Sequence, residues 1–176
     1  MTRSSESGWR IDLSNQGHAA PDVRHMTRMT MTLFEALRES HDKQRRLLDL
    51  LVKTHGDSDG RDELFQRVKA ELENHAAAEE RALYVPMMEI DTTQEKARHS
   101  VAEHHEIDEL LETLEATDYS SPSWVATAKK LQDTVTHHLD EEEHEMFQAA
   151  GRALDDDTKK ALATTYREEM EAREAS

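Results

Sequence analysis

Four pairs of residues able to bind metal or move protons stand at a single separation. His41 and His104, His75 and His138, Glu79 and Glu142, and Glu80 and Glu143 are each 63 residues apart. Each half of the chain therefore reads His and then, 34 residues on, His-x-x-x-Glu-Glu. The chain has no cysteine, which removes disulfides, thiolate metal sites, iron–sulfur ligation and cysteine nucleophiles. What is left is chemistry on imidazole nitrogen and carboxylate oxygen, a donor set that suits Fe, Mn or Zn.

The apolar frame repeats with the donors. Leu47, Leu48 and Leu51 fall on Leu110, Leu111 and Leu114, and Leu83 and Tyr84 fall on Met146 and Phe147. Two copies of one helical hairpin explain both coincidences. The composition agrees: 176 residues hold one domain with a real core, and 36% hydrophobic with 34% charged residues, five Gly and three Pro suit long amphipathic helices. No run alternates as a strand would.

The 3.6-residue period then marks the elements. A first helix is expected over about 23–55, with Phe34, Leu37, His41, Leu48 and Leu51 on its inner stripe and Gly56 as its closing residue. The second carries Leu64, Val68, Leu72, His75, Glu79 and Leu83 and should kink or stop at Pro86. The third starts at the capping-box pattern Thr92-x-x-Glu95 and points His104, Leu111 and Leu114 inward. The fourth opens on Ser121-Pro122, carries Leu131, Val135, His138, Glu142 and Met146, and should end at Gly151. A short fifth helix, capped by Asp157 and carrying Leu162, Tyr166 and Met170, lies outside the repeat.

The fold expected is thus all-α: an up-down-up-down four-helix bundle over residues 25–151, an N-terminal arm over 1–24 containing Trp9, and a C-terminal helix and tail over 152–176.

In an up-down hairpin, residues equally far from the turn share a height. The midpoint of His41 and His75 falls in the Gly56 to Gly60 turn, and that of His104 and His138 falls in the Tyr119 to Ser123 turn. All four histidines should share one layer, about 22–25 Å from either bundle end at 1.5 Å per residue. Glu79 and Glu142 follow their histidines by one turn and join that layer. Buried carboxylates need a proton, a cation or a metal, and no Lys or Arg occupies the inner stripes nearby. Two carboxylates between two pairs of imidazoles suit two ions roughly 3.5–4 Å apart. His41 with His75 would hold one and His104 with His138 the other, Glu79 and Glu142 bridging both.

The neighbours take other readings. Asp108 lies at the edge of its stripe and reads as solvated face, and Glu80 and Glu143 lie about 100° round from the ligands, as surface groups or outer partners of them. His105 and His137 adjoin ligands without a partner at the repeat distance, and His18, His25, His55, His99 and His144 read as surface residues. Tyr84 reads as core packing in preference to a redox-active neighbour. A ferritin-like bundle would need two Glu-x-x-His motifs on core stripes, and only Glu141-x-x-His144 fits.

With the order His, His-x-x-x-Glu, His, His-x-x-x-Glu in place, residues of about 28–150 resemble the hemerythrin-like family, in particular the bacterial HHE cation-binding domains. The resemblance implies a four-helix bundle holding two Fe ions, oxo- or hydroxo-bridged, with Mn or Zn as alternatives. It makes His41, His75, Glu79, His104, His138 and Glu142 the metal ligands. It also implies a small partner, O2, NO or peroxide, in oxidative or nitrosative stress response or sensing. Peroxide-consuming or oxidase turnover, and iron storage or iron-responsive interaction, are the alternatives. Two departures matter. Oxygen carriers have a histidine where this chain has Asp108, and an aspartate five residues after the last histidine, where it has Glu143. A harder, more anionic site favours ferric iron, which moves the reading away from reversible oxygen carriage. The related iron-centre repair proteins carry an N-terminal cysteine segment, and cysteine is absent here.

A net charge of −16 disfavours nucleic acid and anionic membranes as partners. No apolar run reaches the ~20 residues of a membrane span and the opening residues are polar, so a cytoplasmic location is expected.

Overall fold

The computed structural model describes residues 31–175, and the expected N-terminal arm with Trp9, together with His18 and His25, lies outside the described residues. Among those residues every regular element is helical. The first rod is α1, Leu33–Leu51. The second joins α2, Asp59–Glu79, through a π-helical turn, Glu80–Tyr84, to α3, Val85–Met88. The third is α4, Gln94–Ala116. The fourth joins α5, Pro122–Glu141, through a second π turn, Glu142–Met146, to α6, Phe147–Ala153. A fifth helix, α7, spans Asp156–Glu174.

Each rod of the four-helix bundle touches the next around the ring, and α7 packs outside against α1, α2 and the first π turn. Although expected to be short, α7 runs for 19 residues, as many as α1. Its buried residues, Ala163 and Tyr166, are what its outer position allows.

Local chemistry sets the ends. Thr32 and Glu35 form a complete capping box at the start of α1, and Ser58 caps α2 by accepting from the Arg61 backbone N–H. The expected box at Thr92 does not form. Thr93 is the N-cap of α4, and its hydroxyl donates instead to the Met87 and Ile90 carbonyls, closing the turn before the helix. Ser121 caps α5 with Pro122 behind it, as the sequence pattern requires. Asp155, two residues before the expected Asp157, caps α7 by accepting from the Thr158 N–H.

Three expected stops fall elsewhere. The first helix ends at Leu51, and Gly56 with φ of 63° turns the loop beyond it instead of closing the helix. Pro86 does not break the second rod, because the π turn ends just before it and leaves it in the first turn of a new α segment, where its missing N–H costs little. The fourth rod runs through Gly151 to Ala153, because helical backbone accepts glycine at a modest propensity cost.

The apolar core is in two parts. One cluster, with Leu48, Leu51, Phe65, Trp124 and Leu131, fills the end holding the two hairpin turns. The other, with Leu33, Leu37, Leu83, Met87 and Phe147, fills the opposite end. Arg61, 1% exposed, seals the first: it donates to both oxygens of Thr54 and to the Tyr119 carbonyl and lies 4.6 Å over the Trp124 ring. Between the two clusters lies a polar layer.

Candidate metal centre

That layer holds all six residues singled out above. His41, His75, Glu79, His104, His138 and Glu142 are each at most 4% exposed. Asp108 is exposed and Ile107 takes the inward position beside it, and His55, His99, His105, His137 and His144 are exposed as well.

Glu79 is the hub. Its Oε2 lies 3.3 Å from His75 Nε2 and 3.5 Å from His104 Nε2, although those histidines come from opposite halves of the repeat. One set of donor atoms within 4.8 Å of one another is His41, His75 and Glu79, and a second is Glu79, His104 and His138. Glu142 belongs to neither set. Its Oε2 approaches His41 Nε2 at 3.3 Å, and its Oε1 accepts from the Tyr84 hydroxyl at 2.8 Å. The two carboxylates are therefore not equivalent, although the symmetry of the repeat gives both the same bridging place.

The other ring nitrogens are all engaged on the outside. His41 Nδ1 meets Glu143 Oε1 at 2.9 Å, His104 Nδ1 meets Glu80 Oε1 at 3.1 Å, and His138 Nδ1 meets Glu103 Oε2 at 2.9 Å. An ionised carboxylate only accepts, so those three Nδ1 atoms carry protons and donate. His75 Nδ1 pairs instead with the Tyr166 hydroxyl of α7, at 2.9 Å. Every Nε2 is thereby turned into the layer with its lone pair free once the ring is neutral. Glu80 and Glu143 act as outer partners, and Glu143 is itself held by Arg45 at 2.9 Å and Arg38 at 3.6 Å.

A layer so packed with ionisable groups has to distribute its protons unevenly. Burial alone would lower His41, but Glu142 and Glu143 outweigh it and lift the imidazole to about 9. His104 is lifted to about 9 in the same way by Glu79 and Glu80. His75 and His138 fall below the usual histidine value because burial prevails there. Burial also opposes ionisation of Glu79, yet His75, His104 and His41 together hold it well below the ordinary carboxylate range. Glu142 goes the other way, pushed up to about 8 by burial and then by the neighbouring charge of Glu79.

Four buried atoms have no hydrogen-bond partner among the described residues' site groups: His41 Nε2, His75 Nε2, Glu79 Oε1 and Glu142 Oε2. Leaving such atoms unpaired costs about 1–3 kcal/mol each, so a native fold keeps them together for a reason. Two unpaired nitrogens and two unpaired carboxylate oxygens facing one another fit a cation.

Three site residues were not legible from the repeat. The Tyr84 hydroxyl donates to Glu79 Oε2 at 3.1 Å and to Glu142 Oε1 at 2.8 Å, so this residue joins the site as well as packing the core. Tyr166 lies outside the repeat. Glu103 had only its position next to His104 to recommend it. A cavity of about 570 Å3 reaches the layer at Glu142, lined there by Ser100 and Met146 and farther out by residues that include His99, Glu141 and Glu145. Of these, exposed His99 and half-buried Glu141 form a third group of donors with half-buried Glu103.

A bundle whose inner layer is built this way defines a class, and comparison with known proteins agrees. The hemerythrin HHE cation-binding domain matches residues 32–150, and the chain belongs to that family. A solved structure of a hemerythrin HHE cation-binding domain-containing protein from Mycobacterium kansasii superposes with a TM-score of 0.74, at 24% identity, over 83% of this chain and 89% of that one. A curated protein described as a DNA nickase, from Nostoc sp. (strain PCC 7120 / SAG 25.82 / UTEX 2576), is 27% identical over 137 residues, which are 78% of this chain. The aligned stretch is 38% of that protein's length.

Proposed function

We propose that this chain is a non-haem di-iron protein that binds a small ligand, O2, NO or peroxide, at an open position on the metal. The observation that carries this is the orientation of the four imidazoles: each Nδ1 is fixed from outside, the Nε2 atoms of His41, His75 and His104 face Glu79 or Glu142, and His138 Nε2 lies 3.1 Å from His104 Nε2. His41 and His75 would hold one ion and His104 and His138 the other. Glu79, within reach of both pairs, would bridge them, and Glu142 would complete the set from the His41 side. Iron bound there supplies redox and Lewis-acid chemistry toward a diatomic or peroxide ligand. With four nitrogens and two carboxylates shared between two ions, coordination sites remain for that ligand, and the cavity ending at Glu142 supplies its route.

A second reading, peroxide consumption at the same centre, draws support from Tyr84. Its hydroxyl is the hydrogen-bond donor aimed at both carboxylates inside a buried site, and burial with the charges of Glu142 and Glu79 raises its pKa well above the phenol value. The proton is therefore retained there at neutral pH, next to where a ligand would bind. Cytoplasmic location and the absence of nucleic-acid or membrane partners belong to the same proposal. Among the described residues no helix is long and apolar enough to cross a membrane, and the net charge of −16 opposes contact with phosphate backbones.

The test is metal analysis and absorption spectroscopy of protein purified from iron-supplied cells, followed by stopped-flow mixing with peroxide, oxygen or nitric oxide. Two irons per chain with the charge-transfer bands of paired ferric ions are expected. Rapid repeated turnover of peroxide would select the second reading. A colourless protein with stoichiometric zinc would end both.

A further inference from the structure

We propose that Tyr166, on the helix outside the repeat, is the positioning residue for His75, and that it makes the two metal positions unequal, the His41/His75 position being the weaker. The inference rests on the two-ion reading above.

The repeat itself shows why a residue from outside is needed. At the 63-residue offset His41 corresponds to His104, and their outer partners Glu143 and Glu80 correspond to each other, so this pair of contacts is symmetric. His138 corresponds to His75, and the partner of His138 is Glu103, whose counterpart is Ser40. A serine stands where the repeat would place a carboxylate for His75. Ser40 turns its hydroxyl to Glu71 Oε1 at 2.9 Å, and the place beside His75 Nδ1 is taken by the Tyr166 hydroxyl at 2.9 Å.

That substitution changes the chemistry at His75. Three rings donate Nδ1–H to carboxylates, which raises the donor strength of Nε2. His75 has the Tyr166 phenol instead, which is uncharged near neutral pH as an ordinary tyrosine is. A neutral acceptor polarises the imidazole less, so Nε2 of His75 is the poorest donor of the four. On its Nδ1 side, His75 reaches a carboxylate only indirectly among the described residues. Ser40 stands against the Tyr166 hydroxyl and bonds Glu71, which pairs with Lys43 at 2.5 Å near the surface. Tyr166 belongs to α7, Asp156–Glu174, beyond the family's matched stretch of 32–150, so the C-terminal helix is part of the centre and not an appendage.

The experiment is anaerobic titration of the metal-free full chain with Fe(II), comparing wild type with Tyr166→Phe and Glu103→Gln. Two steps are expected in wild type. Tyr166→Phe keeps the ring packed and should weaken only the weaker step, by about 10- to 100-fold, the usual effect of losing an outer partner. Glu103→Gln should weaken only the other step. Ser40→Ala, which leaves Tyr166 in place, should shift the same step as Tyr166→Phe, but less. Unchanged constants in Tyr166→Phe would overturn the inference, as would equal weakening of both steps, since a structural role alone predicts that. A wild type binding a single ion would instead overturn the two-ion reading, and this inference with it.

Discussion

Loading the centre at pH 7 should release about three protons, and the count follows from the distribution of charge in the layer. His41 and His104 are lifted to about 9 and Glu142 to about 8, so all three are protonated at neutral pH in the metal-free protein. His75 and His138 lie below the ordinary histidine value and Glu79 well below the carboxylate value, so these are ready to ligate. Each proton that must leave contributes a tenfold change in apparent affinity per pH unit. The overall constant for two ions should therefore rise about 500-fold between pH 7 and 8, where Glu142 is already losing its proton, and level off above roughly 9. The assay is calorimetric titration with Fe(II), anaerobically, in buffers of different ionisation enthalpy, which separates proton release from binding. A bound water that also ionises would add to the count, so the comparison that decides is Glu142→Gln, which should release one proton fewer than wild type. Equal release by the two proteins, or fewer than one proton from wild type, would refute the charge assignment.

Glu79→Gln retains the shape of the hub but halves its ligating capacity, and because Glu79 belongs to both donor sets, both ions should bind at least about 100-fold more weakly, measured by metal content after dialysis. Loss of one ion alone would exclude the bridging role. Tyr84→Phe removes the donor shared by Glu79 and Glu142 and should destabilise the metal-free protein by about 1–3 kcal/mol in urea unfolding, with a smaller loss once metal satisfies those oxygens. Stability of the metal-free protein should fall as pH rises. His41 and His104 stand at about 9 folded against 6.5 ordinarily, so their stabilisation is complete below 6.5 and disappears as pH passes through 9. The loss is about 3 kcal/mol for each histidine taken alone, and thermal melts between pH 6 and 9.5 would show it, whereas metal-loaded protein should melt almost independently of pH over that range.

The parts of this molecule legible in its sequence are those that duplication wrote twice. Leu48 with Leu111 and Leu51 with Leu114 mark the same inward stripe in two rods, and each of these leucines is at most 1% exposed. The histidines could be placed at one height because hairpin geometry ties height to distance from the turn. What could not be read was decided by contacts between distant segments. The hydroxyl of Thr93 found the Met87 carbonyl, which moved the start of α4 by one residue from the expected Thr92. Tyr166 reaches His75 across 91 positions of sequence, and no local period announces such a contact.

The π turns carry the same lesson into the site. In an unbroken α-helix, five residues turn the chain by about 500°, which would leave Tyr84 roughly 140° away from Glu79. A π turn pairs each N–H with the carbonyl five residues back, and the one over Glu80–Tyr84 brings the Tyr84 hydroxyl within 3.1 Å of Glu79 Oε2. The second π turn, Glu142–Met146, starts one residue before the matching place in the other half, and the residue corresponding to Tyr84 is Phe147 just beyond it, which stacks 5.8 Å from the His41 ring and carries no hydroxyl. One hydroxyl is enough, because the single Tyr84 donor already spans a carboxylate from each half. A second phenol would compete for oxygens that a metal needs. Where the halves agree, they build the cage. Where they differ, at Tyr84 against Phe147 and at Ser40 against Glu103, the two sides of the cage acquire different chemistry.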